Sequence, residues 1–430
     1  MERVVAKYLG SRASRARVSG HSLPSVVDAV IVIPAYCESD HLPLTIASLE
    51  ALPAAEKSRL WVLVVVNNPG VPVSGADALR DARDDNLRLL VWLAARCPST
   101  SLNLSWIDAA SPGRELSGKG GVGMARKLGC DTAIGALANA RGELRGAGGQ
   151  PTVLLHLDAD SLVDSTYLDA VPEFLASGCE GGAIWFEHQR ADCSRSQHAI
   201  DAYELYIHFY VAGLRLAGSP YAYHTVGSSM MCRADSYVRA GGIPAKRRAG
   251  EDFYFLQQLA KIGGVAAING TTVRPSPRTS ARVPFGTGPQ MSSVLERGEG
   301  DLPAADPRVF TTLADLYGSV TARAIEGGEA ILHDLECPQT RSFLEEKRFV
   351  GVFDRIGGQW PDRERRVVAF HEWFDGLATH RLIHRLTAEC WPALEATEAW
   401  RSLAVLLGTA LPPGGASQVL PAVRELIRQG

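Results

Sequence analysis

Residues 27–34 (Val-Asp-Ala-Val-Ile-Val-Ile-Pro) form an almost unbroken run of β-branched and small apolar side chains. A strand covered on both faces shows this pattern, because no position looks at water, and the run predicts a central strand of a parallel sheet. Leu60–Val66 and Thr152–Leu157 repeat it, whereas Leu102–Ile107 is shorter and alternates. Helical patterns separate these runs: Leu42, Leu44, Ile46 and Leu49 first, then Lys119–Leu137. Strands and helices in alternation predict βαβ units and an α/β fold with a doubly wound, mostly parallel sheet. In such sheets ligands bind beyond the carboxyl ends of the strands. The polar clusters fall there: Tyr36-Cys37-Glu38, Asn67-Asn68, Asp108 and Asp158-Ala159-Asp160.

The texture changes after residue 290. Arg297–Pro307 is rich in Gly, Pro and acidic residues and reads as a linker or long loop. From about residue 308 the apolar positions recur at helical spacing with no strand-like run, so an all-α region follows the α/β part. The expected division is a basic N-terminal arm over 1–25, an α/β domain over 26–295 and a helical domain over 296–430. The arm carries Arg3, Lys7, Arg12, Arg15 and Arg17 without the apolar block of a signal peptide, and is expected to be frayed.

Composition narrows the function classes. At 430 residues, 46% hydrophobic and 21% charged, the chain is long and apolar enough for two or three folded domains and is not a disordered one. A formal net charge of -3 removes the basic excess that a general nucleic-acid binder needs to neutralise phosphates. The eight cysteines are scattered with no Cys-x-x-Cys pair, which fits neither a zinc site nor a disulfide framework and predicts a reduced, cytoplasmic setting. No apolar run approaches the 18 residues of a membrane span.

Asp158-Ala159-Asp160 is the sharpest chemical feature. Two carboxylates one residue apart at a strand end can place one oxygen on a divalent cation and another on a nucleotide ribose. Hard oxygen ligands suit Mg²⁺ or Mn²⁺, which complete their shells with substrate phosphates. The alternative is an Asp pair capping a helix that begins near Asp164. Upstream, Gly118-Lys119-Gly120-Gly121-Val122-Gly123-Met124-Ala125-Arg126-Lys127 has the glycine spacing of a P-loop. The two positions that do P-loop chemistry are Met124 and Ala125, so an ATPase is excluded. Read instead as a glycine-rich helix start, the segment lets Lys119 and Arg126 face a diphosphate; the alternative is a plain turn and a solvated basic helix.

Seven pieces in order then carry a resemblance. They are Val-Ile-Pro-Ala-Tyr-Cys-Glu (32–38), Val-Val-Val-Asn-Asn (64–68), Gly-x-x-x-Ala-Arg-Lys-x-Gly (121–129), Leu-Asp-Ala-Asp-Ser (157–161), Gly-Ser-Ser-Met-Met (227–231), Ala-Gly-Gly-Ile (240–243) and Gly-Glu-Asp (250–252). Over roughly residues 27–290 the chain resembles the family 2 glycosyltransferases, whose catalytic domain has the nucleotide-sugar-binding GT-A fold.

The resemblance implies transfer of a sugar, of the hexosyltransferase kind, from a nucleoside-diphosphate sugar to an acceptor hydroxyl with inversion. Pro34, Ala35, Tyr36 and Glu38 would line the nucleoside pocket, with Asn67 or Asn68 against the base. Asp158 would reach the ribose, with Ala159 beside it, and Asp160 would hold the Mn²⁺ or Mg²⁺ that bridges the diphosphate. Asp252 would be the general base, with Glu251 supporting it or meeting the acceptor. Charge developing on the leaving oxygens calls for a divalent ion and Arg or Lys, and inversion calls for a carboxylate on the opposite face of the sugar.

Two positions depart from the family. Asn67-Asn68 stands where it usually has Asp, which puts its usual uracil contact in doubt. Cys37 replaces a common Asn and reads as a small buried filler.

Three further features bear on the acceptor side. Trp185, Phe186, Tyr203, Tyr206, Phe209, Tyr210, Tyr221 and Tyr223 could form a sugar platform, or Tyr203, Tyr206 and Tyr210 could simply be one packed helix face. His224 could reach the acceptor or the metal, or be a hydrogen-bonded structural residue. The Pro/Gly-rich stretch Arg274–Gly288 could close over the donor with Arg278 or Arg282 on the diphosphate, or be a solvated linker.

His380 and His384, four apart, read as a surface pair rather than a metal site. The acceptor is expected to be a small polar molecule, a glycoside or a lipid-linked group. The helical region is expected to pack on the α/β part, to shape the acceptor side or to form a homodimer. Two alternatives stand beside the transferase. One is a nucleotidyltransferase that makes a sugar nucleotide, which wants a Gly-, Arg- and Lys-bearing loop where this chain has Pro-Ala-Tyr-Cys-Glu. The other is a non-catalytic nucleotide-sugar-binding protein.

Overall fold

The computed structural model describes residues 2–70, 76–117, 121–141, 144–244, 250–278, 287–297 and 302–429. The chain divides into two compact units, Met1–Arg190 with Thr225–Pro289, and Ala191–His224 with Gln290–Gly430. The segment 191–224, expected inside the α/β domain, therefore belongs with the helical unit.

Among the described residues the first unit is an α/β fold built on nine strands: β1 (Val18–Gly20), β2 (Ala29–Ala35), β3 (Leu60–Asn67), β4 (Asn103–Ala109), β5 (Val153–His156), β6 (Leu162–Val163), β7 (Gly181–Phe186), β8 (Met230–Arg233) and β9 (Val265–Arg274). Their order in the sheet is β1-β4-β3-β2-β5-β8-β7-β9-β6. The central strands β4, β3, β2 and β5 run parallel, β8 is antiparallel to both of its neighbours, and β9 is parallel to β7. Every residue of β2 and β3 is buried, as their unbroken apolar runs require.

The helix Val122–Arg141 lies directly on these strands. A β-carbon at Gly129 would fall 2.4 Å from Cγ1 of Val32 and 3.0 Å from Cγ2 of Val65, so only glycine allows so close an approach. This approach brings the helix face that carries Arg126, three residues earlier, against the carboxyl end of the sheet.

The N-terminal arm is folded rather than frayed. Glu2–Ser11 is a helix whose Val5 and Tyr8 are buried, and β1 pairs antiparallel with β4 through Val18 and Ile107. Buried Asp131 accepts from Tyr8 Oη at 2.6 Å, Tyr237 Oη at 2.8 Å, the Ser14 amide at 2.7 Å and Lys127 Nζ at 2.7 Å. These bonds tie the N-terminal arm and Tyr237 to one carboxylate on the helix Val122–Arg141.

Among the described residues the second unit is helical apart from a two-residue pairing of Pro303–Ala304 with Leu394–Glu395, which the periodicity did not show. Its long helix Ser194–Leu216 buries Phe209, whose ring meets Phe310 and Trp400 edge-on, both at 5.7 Å. Trp400 Nε1 donates to the Leu205 carbonyl at 2.8 Å. Among the described residues no helix is long and apolar enough to cross a membrane.

Candidate active site

From β2 the chain moves to β3 and β4 on one side, and β5 takes the place on the other side. The crevice at such a reversal is where doubly wound sheets bind ligands. Here it lies between the segments that follow β2 and β5, Tyr36–Glu38 and Asp158–Asp160. Pairing continues past β5, since the Leu157 amide donates to Val32 O at 3.2 Å. The turn is then fixed from two sides. Thr45 Oγ1 donates to Ala159 O at 2.8 Å, and Gln189 Nε2 donates to Asp160 O at 2.9 Å and Arg274 O at 2.7 Å.

Arg126 does not face open space. Its side chain is 3% exposed, Nη2 donates to Asp158 Oδ1 and Nη1 donates to Glu251 Oε1. This corrects the expectation that it meets a diphosphate directly, because both terminal nitrogens already carry a carboxylate. Burial pulls against its charge, but Asp158, Glu251 and Asp252 outweigh that and hold the guanidinium protonated. Among the described residues its Nε is buried without a hydrogen-bond partner.

Glu251 and Asp252 open the helix Glu251–Gly263 behind Gly250, whose φ of 75° is a left-handed conformation that glycine adopts without strain. Glu251 is buried on Arg126, while Asp252 is half-buried and accepts from the Phe253 amide at 2.8 Å. Burial, and then the charge of Glu251, push the Asp252 carboxyl up to about 7, with Arg126 opposing. A carboxyl tuned to neutrality suits a general base.

Arg278, just beyond β9, bridges the other two carboxylates. Its Nε lies 2.7 Å from Asp160 Oδ2, Nη2 donates to Glu38 Oε1, and Nη1 is 3.3 Å from His41 Nδ1. Both carboxylates raise its affinity for the proton against the pull of burial.

At the end of β3 the two asparagines separate. Asn68 is fully engaged: Nδ2 donates to Ala110 O at 2.9 Å, and Oδ1 accepts from Asn86 Nδ2 at 2.8 Å. Asn67 Oδ1 is buried with no hydrogen-bond partner among the described residues. Asn86, which the sequence reading missed, is fully buried and also donates to Asn67 O at 3.1 Å. Its Oδ1 accepts from the Cys37 amide at 3.0 Å.

Cys37 is not a buried filler. It is half-buried and its backbone is left-handed, with a φ of 57°, a conformation that Asn tolerates better than Cys.

Other expected site residues lie elsewhere. Pro34 and Ala35 are buried within β2 opposite Val65 and Val66, and Ala159 is 1% exposed, so they shape the crevice floor rather than line it. Tyr36 is half-buried at the strand end. Lys119, Arg282 and Gly286 lie outside the described residues.

His224 belongs to the second unit, where its Nε2 lies 2.9 Å from His208 Nδ1 and is not offered to a metal. Burial, then His208, holds it well below the usual histidine range. Of the aromatic residues, Trp185 and Phe186 are buried in the first unit and Phe209, Tyr221 and Tyr223 in the second. His380 and His384 bring their Nε2 atoms to 3.0 Å in the second unit.

Glu38, Asp158, Asp160, Glu251 and Asp252 stand against two guanidiniums, so the fully ionised cluster keeps a negative excess. An anionic donor meets repulsion there unless a cation joins it. The oxygen-only donors of Glu38 and Asp160 already hold one cationic group, the guanidinium of Arg278, and their chemistry fits Mg²⁺ or Mn²⁺. Among the described residues no three His, Cys, Asp or Glu side chains are grouped to hold a metal ion. Such an ion would draw most of its shell from donor phosphates and water.

No family model and no curated protein matches the chain. Among solved structures it is similar to S. aureus TarS 1-349 in complex with UDP-GlcNAc, with 12% identity and a TM-score of 0.37, over 81% of this chain and 91% of that one. It is also similar to the mannosyltransferase PcManGT from Pyrobaculum calidifontis in complex with GDP-Man and Mn²⁺, with 14% identity and a TM-score of 0.31, over 100% of this chain and 93% of that one. At these scores the functional reading rests on the residues of the site itself.

Proposed function

We propose that the chain is a glycosyltransferase that moves a sugar from a nucleoside-diphosphate donor to an acceptor hydroxyl with inversion. One observation carries this reading. The turn with Asp158 and Asp160, and the helix start with Glu251 and a near-neutral Asp252, meet through one buried arginine at the topological switch of the sheet.

In this reading the nucleoside lies along Tyr36–Glu38 and the end of β3, with its ribose hydroxyls on Asp158. Asp160, beside Glu38, would hold a divalent cation, which supplies positive charge to the diphosphate. For that, Arg278 gives up its bond to Asp160 and turns to a phosphate oxygen, which an arginine fork binds equally well. Asp252 accepts the proton of the acceptor hydroxyl as that oxygen bonds to the anomeric carbon. The carbon–phosphate-oxygen bond breaks with its electron pair leaving on the nucleoside diphosphate. Pushed up to about 7, the Asp252 carboxyl is a far better proton acceptor than an ordinary aspartate.

The test is thermal stabilisation by UDP, GDP and the other nucleoside diphosphates with and without Mn²⁺, followed by turnover of the matching nucleotide sugars. A nucleotide at a hundred times its dissociation constant stabilises by about 2.7 kcal/mol. The reading expects one nucleotide to act only with metal, Asp160→Asn to abolish that, and the matching sugar donor to be consumed. No stabilisation by any nucleotide, or binding without turnover on any acceptor class, overturns it.

A further inference from the structure

We propose that Arg126 is a positioning residue that mechanically links the donor turn to the base-bearing turn, so that Asp158 and Glu251 are held in one geometry. This rests on the reading above.

The argument starts from where its partners come from. Arg126 lies on the helix packed over β2 and β3, Asp158 follows β5, and Glu251 opens the helix before β9. The two partners lie 32 and 125 positions along the chain from Arg126. They converge only because Gly129 lets the helix sink onto Val32 and Val65. Two more glycines enclose the bridge. A β-carbon at Gly227 would fall 2.6 Å from Nη2 of Arg126, and one at Gly123 would fall 2.9 Å from Cγ of Glu251. Neither position has room for a side chain beside the bridge, and the guanidinium it serves is buried between its two carboxylates.

Stability does not explain the arrangement. A buried ion group is often matched or bettered by apolar residues of similar volume. The planar fork does what no other side chain can: its two terminal nitrogens each fix a different carboxylate, where an ammonium is a point charge. Asp158 faces the donor and is 37% exposed, whereas Glu251 is buried and adjoins the base.

The experiment compares Arg126→Leu, Arg126→Lys and Glu251→Gln with wild type. It measures nucleotide affinity by thermal shift, donor and acceptor KM, kcat, and the pH profile of kcat/KM. The charged groups that act on Asp252 are Glu251, Arg126 and Asp158, so these variants move its titration in known directions.

In Arg126→Leu the nucleotide affinity should fall at least tenfold and kcat at least a hundredfold. The acidic limb should move to higher pH, because the cation that holds the base down is gone. Arg126→Lys should restore one of the two losses and not both. Glu251→Gln, which takes the charge out of the link on the base side only and leaves a weaker amide acceptor for Nη1, should lower kcat with nucleotide affinity within threefold of wild type.

Arg126→Leu with kcat, KM and pH profile all within threefold of wild type overturns the proposal. So does Glu251→Gln that loses nucleotide affinity as far as kcat. If Arg126→Leu does not fold, Arg126→Lys and Glu251→Gln decide alone. Wild-type turnover is measured first, so failure of the transferase reading is seen separately from failure of the link.

Discussion

A β-carbon on Gly227 would stand 2.6 Å from Nη2 of Arg126, closer than side-chain carbons come to any heavy atom. Gly227→Ala must therefore displace a guanidinium that Asp158 and Glu251 hold from the other side. Overpacking of this kind destabilises by about 1–3 kcal/mol. Chemical denaturation should show that loss, and activity should fall further than stability, because the displaced group orients both halves of the site. Gly227→Ala at wild-type stability and rate would mean that the loop shifts freely, and the enclosure would then have no role.

Asp252 sets the expected pH dependence. Its carboxyl is pushed up to about 7 by burial and by Glu251, and a base must be unprotonated, so kcat/KM should rise through a limb near pH 7 and level off above it. Stability runs the opposite way. A carboxyl whose folded value lies above its unfolded one stabilises fully below about pH 4, and that contribution is lost as pH rises through 7. Asp252→Asn should accordingly abolish turnover and yet melt higher than wild type at pH 8, with the difference shrinking towards pH 5. A limb near pH 4, or no stability gain at pH 8, would remove Asp252 from the role of base.

Much of this site is legible locally, and the reason is burial. β2, β3 and β5 are covered on both faces, so their apolar runs are unbroken, and the carboxylates that follow stand out at the strand ends. What escapes local reading is long-range partnership. Arg126 looks like a cation facing a diphosphate, or a solvated one, until its partners at positions 158 and 251 are in place. The helix Glu2–Ser11 buries only Val5 and Tyr8, too few positions to mark it as packed from the sequence alone. The helix Ser194–Leu216 has an ordinary helical pattern, and nothing in it shows that Phe310 and Trp400 are its neighbours. Cys37 gives no sign of a left-handed backbone, because that conformation is imposed by the turn and by Asn86.

Asn86 is the strongest structural residue that the motifs missed. It joins the turn after β2 to the end of β3 through the Cys37 amide, Asn67 O and Asn68 Oδ1. Asn86→Ala would leave these groups short of partners in a fully buried place, for a loss of about 3 kcal/mol. Nucleotide affinity should fall with it, since both segments border the crevice. Asn86→Asp tests the geometry separately: where the new carboxyl is neutral it keeps an acceptor for the Cys37 amide and has one O–H in place of two N–H donors, so its loss there should fall between wild type and alanine.

Asp131 gives the N-terminal helix a measurable stake in the fold. Tyr8→Phe removes a hydroxyl that donates to a buried carboxylate and also accepts from Lys127 Nζ at 3.1 Å, and should destabilise by about 2 kcal/mol. Asp131→Ala strands the Lys127 ammonium, which is only 8% exposed, and should cost about 3–5 kcal/mol. Limited proteolysis reads the same contact: cleavage near residues 9–15 should speed up in Tyr8→Phe. Equal cleavage rates would mean that the helix stays docked without the Tyr8 hydroxyl.

His156 separates acid unfolding from catalytic titration. It is fully buried on β5 next to the donor turn, edge-on to Phe255 at 6.0 Å, and among the described residues neither ring nitrogen has a hydrogen-bond partner. Burial, and secondarily the charge of Arg126, hold it down to about 3. A histidine depressed in the folded state contributes stability above its unfolded value near 6.5, and that contribution is lost as pH falls from there towards 3. At pH 5 the loss from this one ring amounts to about 2 kcal/mol. His156→Leu removes the titrating ring and the unpaired nitrogens together, so it should match or exceed wild-type stability at pH 7 and lose less on going to pH 5. Its kcat/KM limb near pH 7 should stay where wild type has it, because that limb belongs to Asp252. If the limb moves with His156→Leu instead, the pH dependence reports unfolding of the donor turn rather than titration of a base.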